Sequence, residues 1–260
     1  MTEFDDVRVE WHGHTALLEI YRPPLNFFDP TLIEHLASCF EALDKDDRCR
    51  AIVLAAHGKA FCAGADFSSG GQALFDPAAE NNAIALYKSA LRLFACKKPV
   101  IGAIHGAAIG GGLGLSLVPD FRIVCSETRF AANFVQLGIH PGFGISLVLP
   151  RLIGQQRAQL MLLSGRRIKG GEALEIGLAD KLVPAADVRS EALALADEIA
   201  QCAPLAVEST RATLRQGLVD ALRAHLEHEF AEQVRLAKTA DHKEGMAAVS
   251  ERRAGQFRRA

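Results

Sequence analysis

The 260-residue sequence lacks an excess of either charge: 29 Lys and Arg stand against 31 Asp and Glu, a formal net charge of −2. That balance excludes the strongly basic footprint of a nucleic-acid surface. No apolar run reaches membrane-spanning length. The nearest, Pro99 to Pro119, is interrupted by His105 and by five glycines between Gly106 and Gly114. It reads as a buried strand, a loop and a helix. No C-x-x-C pair occurs among Cys39, Cys49, Cys62, Cys96, Cys125 and Cys202. Scattered in this way, they are expected to be reduced core thiols of a cytoplasmic protein rather than disulfides or metal ligands. His225 and His228 share a helical face but have no further ligand beside them, so no metal site is expected. The opening Met1 to Asp6 lacks a basic stretch followed by an apolar one, and no secretory signal is expected. The nucleotide-binding patterns G-x-G-x-x-G and G-x-x-x-x-G-K-[ST] are absent, as is the G-x-S-x-G nucleophile elbow.

What is present is a globular composition, 49% hydrophobic and 23% charged. Val7 to Ile20 reads as a hairpin turning near Gly13. Asp29-Pro30 supplies a helix cap and a first-turn proline, and Leu32, Ile33, Leu36, Phe40 and Leu43 follow at helical spacing. Ala51 to Ala56, Pro99 to Ile104 and Phe121 to Cys125 read as buried strands. Residues 68–82 begin with Ser68, Ser69, Gly70 and Gly71 and are expected to form a mobile loop, with a helix resuming near Ala83. From Pro150 onward helices dominate: 155–163, 171–176, 188–202, 204–216, 219–238 and 242–253. The fold class is therefore α/β with a helical C-terminal region.

Two segments carry the candidate chemistry: Lys59 to Phe67, and His105 to Gly114. Each follows a buried strand and is built of small residues, which let a backbone approach a ligand closely. The second also opens a helix, whose first N–H groups are unpaired and carry the positive end of the dipole. Side by side, two such loops can hold a carbonyl oxygen as negative charge develops on it.

Together with three other segments, these loops resemble the crotonase (enoyl-CoA hydratase/isomerase) superfamily over nearly the whole chain. The matching stretches are Arg22 to Asn26, Lys59 to Asp66, His105 to Gly112, Leu163 to Pro184 and Lys243 to Ala248, in the family's order. The resemblance implies a spiral of ββα units over residues 1–200. A helical C-terminal region, 201–260, would build trimers or hexamers. It implies an acyl-CoA thioester as substrate, with coenzyme A part of that substrate and no separate cofactor. The amides of Ala65 and Gly111 would form the oxyanion hole. Ala63, Ala65, Asp66, Phe67, Gly111, Gly114 and Phe134 would line the acyl-CoA site, with the Ala63 carbonyl near the adenine. Phe230, Lys243 and the basic end (Arg252, Arg253, Arg258, Arg259) are either coenzyme A phosphate contacts or a solvated face.

The sequence departs from the family at its acid/base positions. The two hydratase glutamates correspond to Gly114 and Phe134, and a third acidic position used by some members corresponds to Gly142. Neither Gly nor Phe transfers protons, whereas hydration needs a positioned acid or base. His140 is the only titratable side chain in the turn Leu137 to Gly144 and is the candidate substitute. Asp66 is a second acid/base candidate, but its match to the family's loop favours a structural or coenzyme-A-positioning role; Cys62 and His105 are read as structural, and Asp120 as a local contact ending the helix after the glycine-rich loop. A divergent isomerase or lyase acting through a thioester enolate is the leading expectation. The alternatives are decarboxylation, hydration by unusual groups, or a non-catalytic acyl-CoA-binding relative.

Overall fold

The structure is a computed structural model that describes residues 4–66 and 80–260. Phe67, and the part of the expected mobile loop up to residue 79, lie outside the described residues. Strands β1 (Val7–His12) and β2 (Thr15–Ile20) form the expected hairpin, turning at Gly13 with φ 59°. Helix α1 (Pro30–Asp44) starts where the Asp29 carboxylate accepts from the Leu32 N–H at 2.8 Å. Next come β3 (Ala51–Ala56), α2 (Glu80–Phe94) and β4 (Val100–Ile104). The glycine-rich loop holds an unexpected short strand, β5 (Ala107–Ile109), before α3 (Gly111–Ser116). Then follow β6 (Phe121–Val124), β7 (Arg129–Ala131), a 3₁₀ turn over Asn133–Leu137, α4 (Ile145–Ile153) and α5 (Gln155–Ser164). Strand β8 (Arg167–Lys169), α6 (Gly170–Glu175), β9 (Lys181–Leu182) and α7 (Val188–Ala200) complete the core. Helices α8 (Pro204–Leu214), α9 (Leu218–Leu236) and α10 (Ala240–Ser250) end the chain.

The strands make two sheets. The larger runs β1-β2-β3-β4-β6-β9, parallel beyond the first hairpin, and the smaller runs β5-β7-β8. Each turn of chain visits the large sheet, then the small one, then a helix: β4, β5, α3, and after it β6, β7, α4. The turn that begins with β3 follows the same path, because Cys62 bridges Ala108 in parallel beside β5. This is the ββα spiral expected from the resemblance.

Every residue of β3 is buried because both faces of the sheet are covered. Ile52 and Leu54 join the main core with Leu32, Leu36 and Phe40 of α1. Ala51, Val53 and Ala55 face Ala192, Ala196 and Ala200 of α7. The small alanines let α7 lie close against the sheet.

Helix α8 buries no residue completely and is held by charges. Lys98 Nζ meets Glu208 at 2.7 Å. The Asp120 carboxylate accepts from the Val100 N–H (2.9 Å), Arg211 Nε (2.8 Å) and Arg215 Nη1 (2.7 Å). Asp120 does not end α3, which stops at Ser116; it sits just before β6 and ties two strands to α8. Cys202 is another correction: it is exposed at the end of α7, whereas the other five cysteines are buried. Burial pushes the Cys49 and Cys62 thiols up to about 12, which keeps them unreactive.

The basic end is fixed partly by its own contacts, with one guanidinium and two backbone amides engaged. Arg253 bonds Glu244 and Glu251, and the Arg258 and Arg259 amides donate to Asp241. Phe230 is not part of that end: its ring packs 5.7 Å from Tyr87. Among the described residues no helix is long and apolar enough to cross a membrane, and no cluster of metal-ligating side chains occurs.

Asp120→Ala removes a half-buried carboxylate facing two arginines. We expect a loss of about 3 kcal/mol in unfolding free energy by urea titration, as is typical for breaking a buried pair. A loss below about 0.5 kcal/mol would show that α8 does not depend on this contact.

Candidate active site

The turn after β2 supports the first candidate loop from below. Asn26 is fully buried at φ 50°, a left-handed conformation that Asn tolerates better than most residues. Its Nδ2 donates to the carbonyls of His57 (2.6 Å) and Ala60 (2.7 Å), while its Oδ1 accepts from the Arg22 N–H (2.9 Å). The Lys59 N–H donates to Pro24 O and the Ala63 N–H to Leu25 O. This is the physical content of the Arg22-to-Asn26 motif.

The second loop zips alongside. The Phe61, Cys62 and Ile109 amides donate to His105 O (2.9 Å), Ala107 O (2.9 Å) and Cys62 O (3.1 Å). Two glycines make this approach possible. A Cβ at Gly106 would overlap the Lys59 carbonyl oxygen, and one at Gly112 would overlap that of Cys62. His105 anchors the same region through Nε2 at 3.0 Å from Gly58 O, and burial lowers its pKa. It is structural, as read from the sequence.

The zipper brings Ala65 and Gly111 to one cavity. Gly111 is the first residue of α3, so its N–H has no intrahelical acceptor. Among the described residues neither amide meets a backbone or side-chain acceptor. The cavity walls are apolar, with Phe28, Phe134, Phe143, Leu86 and Leu137 prominent. Phe28 packs against Gly111, where a Cβ would lie 2.9 Å from its ring, and meets Phe143 edge-on at 5.2 Å.

The structure sorts the expected site residues. Ala63, Ala65, Gly111 and Phe134 line the cavity. Gly114 and Asp66 are not among the lining residues. Gly114 lies beneath Phe143, and a Cβ there would come within 2.7 Å of that ring. Phe143 itself is held at φ 62°, unfavourable for a bulky residue. Buried Glu229 of α9 stabilises this turn by accepting from the Gly144 (2.7 Å) and Ser146 (3.1 Å) amides and Ser146 Oγ. Burial pushes its carboxyl up. His140 is also displaced from its expected place. Its imidazole is 2.7 Å from the Pro141 carbonyl and edge-on to His228, and only its own carbonyl accepts a bond from a cavity residue.

Three polar side chains of the cavity escaped the sequence reading: Tyr87, Asn133 and Gln233. Tyr87 and Gln233 come from α2 and α9, far apart in sequence, and only the docking of α9 on α2 joins them. No local pattern signals that.

A ββα spiral that brings two amides without acceptors among the described residues to one apolar cavity has the chemistry to polarise a carbonyl. The comparisons with known proteins give the family. The family model described as enoyl-CoA hydratase/isomerase matches residues 11–260, and the chain belongs to that family. A short-chain-enoyl-CoA hydratase of Clostridium acetobutylicum is 32% identical, over 96% of this chain and 97% of its own. The crystal structure of an enoyl-CoA hydratase/isomerase from Pseudoalteromonas atlantica superposes with a TM-score of 0.86 at 28% identity, covering 98% of this chain and 100% of that one. One from Mycobacterium paratuberculosis gives 0.85 at 28% identity, covering 94% and 99%.

Gly112→Ala forces the two loops apart at the Cys62 carbonyl. Overpacking against a backbone atom costs about 3 kcal/mol. We expect a lowered unfolding midpoint and loss of acyl-CoA binding by calorimetry. Wild-type behaviour in both would refute the zipper.

Proposed function

We propose that the protein binds an acyl-CoA thioester with its carbonyl oxygen between the Ala65 and Gly111 amides, and carries out an isomerase or lyase step through the enolate. The observation that carries this reading is a pair of amides, without acceptors among the described residues, on residues that line one apolar cavity. Each amide donates more strongly to an oxyanion than to a neutral carbonyl. Such a donor is worth about 3–4 kcal/mol in the transition state.

The polar lining points away from ordinary hydration. No carboxylate lines the cavity among the described residues. Phe143 covers Gly114, and Phe134 fills the second glutamate position. The Tyr87 phenol is pushed well above its usual range by burial and then by Glu229, so it stays protonated near neutral pH. Among the described residues the cavity offers no carboxylate to activate water, whereas the Ala65 and Gly111 amides are placed to stabilise an enolate; the base that takes the α-proton in an isomerase step is not one of these lining residues.

Ala63, Asp66 and Phe67 are proposed to hold coenzyme A. The C-terminal helices are proposed to assemble trimers or hexamers, a reading supported by the exposure of Leu205 (80%) and Leu214 (81%) on α8.

The test offers crotonyl-CoA, β,γ-enoyl-CoA and aromatic acyl-CoAs, following binding, turnover and exchange of the α-proton with deuterated solvent. We expect binding and α-proton exchange without rapid hydration of crotonyl-CoA. Rapid hydration would overturn the reading, and tight binding with no exchange would favour a non-catalytic acyl-CoA-binding protein. Ala65→Pro removes one donor and should slow exchange by about 10²-fold or more.

A further inference from the structure

Of the polar side chains that line the cavity among the described residues, two are already bonded within the protein. Tyr87 Oη donates to Gln233 Oε1 at 2.5 Å and meets the Phe143 backbone, and Gln233 Nε2 donates to the His140 carbonyl at 2.9 Å. Asn133 differs. It opens the 3₁₀ turn after β7, is half-buried and lines the cavity, and its side chain makes no hydrogen bond in the structure. Its neighbour Phe134 occupies the second glutamate position, so the polar group of this turn stands one residue earlier than the family pattern places it.

The Asn133 amide lies over the residue that precedes the Gly111 donor. A Cβ on Gly110 would sit 3.4 Å from Asn133 Oδ1 and 3.9 Å from the Phe134 ring. That point is three bonds from the Gly111 nitrogen, so standard bond lengths hold the Asn133 amide within about 7 Å of the nitrogen. A carbonyl oxygen bonded to Gly111 stands about 2.9 Å from the same nitrogen. The remaining gap is within reach of a side chain that no partner holds in one rotamer. Nor does any partner fix which way the amide faces, so a half-turn about χ2 exchanges its oxygen for its NH₂ group.

We propose that Asn133 is a further catalytic residue, a third donor whose side-chain N–H reaches the thioester oxygen held by the Ala65 and Gly111 amides. An amide does not take up the α-proton near neutral pH, so Asn133 acts as a donor and not as the base. Among apolar walls, the acceptor that gains most from it is the oxygen on which negative charge develops. The inference rests on the oxyanion reading above and adds a side chain to it.

The test uses carbonyl-labelled hexanoyl-CoA with the wild type, Asn133→Ala and Asn133→Asp, each checked for an unchanged unfolding midpoint. Three quantities are read: the dissociation constant, the infrared frequency of the bound carbonyl, and the rate of α-proton exchange with deuterated solvent. Asn133→Ala should slow exchange about tenfold or more, since the lost bond is strongest to the charged oxygen. Its dissociation constant should change less than about threefold. The fall in carbonyl frequency on binding should be smaller than in the wild type, which a merely structural role would not produce. Asn133→Asp offers an acceptor of the same shape. It should slow exchange at least as much, and it serves if Asn133→Ala does not fold. A wild type whose carbonyl frequency falls on binding, with the same fall in both variants, overturns this proposal alone; so does unchanged exchange in both. A wild type that binds no hexanoyl-CoA, or binds it with the carbonyl at its solution frequency, overturns this proposal together with the oxyanion reading.

Discussion

The site depends on one close approach, the backbone of Gly112 against the carbonyl of Cys62, where no Cβ fits. It is what allows the loop after β3 to lie parallel to β5. The hydrogen bonds from Cys62 to Ala107 and from Ile109 to Cys62 lock that register. With the register fixed, Ala65 and Gly111, the first residue of α3, line one cavity. Asn26 supports the same loop from the other side, so the small-residue motifs and the early Arg22-to-Asn26 turn form one mechanical unit. The proposed catalytic atoms belong to the backbone, which is compatible with side chains as plain as Ala and Gly at the centre of the site.

Around these amides the cavity is built from aromatic rings rather than charges. Phe143 takes the space above Gly114, at the expense of a left-handed backbone, and Glu229 holds that turn in place from α9. Burial pushes the Glu229 carboxyl up, and the same burial together with Glu229 keeps the Tyr87 phenol protonated. The electrostatics therefore favour neutral partners throughout. Among the described lining residues, the amides of Ala65 and Gly111 are the proposed place for developing negative charge.

Much of this was legible in the sequence because it is local. The cap at Asp29, the strand over Ala51–Ala56 and the helix opening at Gly111 each carry their signal within a few residues. The five ordered motifs supplied the spiral and the two amides. Strands β5, β7, β8 and β9 were missed because two or three residues show no period. Helix α4 was missed because Pro150 lies inside it. His140 was singled out as the only titratable residue in its turn, but its imidazole is engaged with Pro141. Tyr87 and Gln233 were invisible for the opposite reason: their meeting depends on α9 docking against α2, a contact between residues 146 positions apart.

Both amides are proposed to donate to one thioester oxygen, and infrared difference spectroscopy of a carbonyl-labelled acyl-CoA bound to the protein reads that oxygen. Two donors withdraw electron density from the C=O bond, so its stretching frequency should fall clearly relative to the free thioester, and the fall should be partly reversed in Ala65→Pro. A bound thioester whose carbonyl frequency stays at its solution value would rule out donation by the two amides.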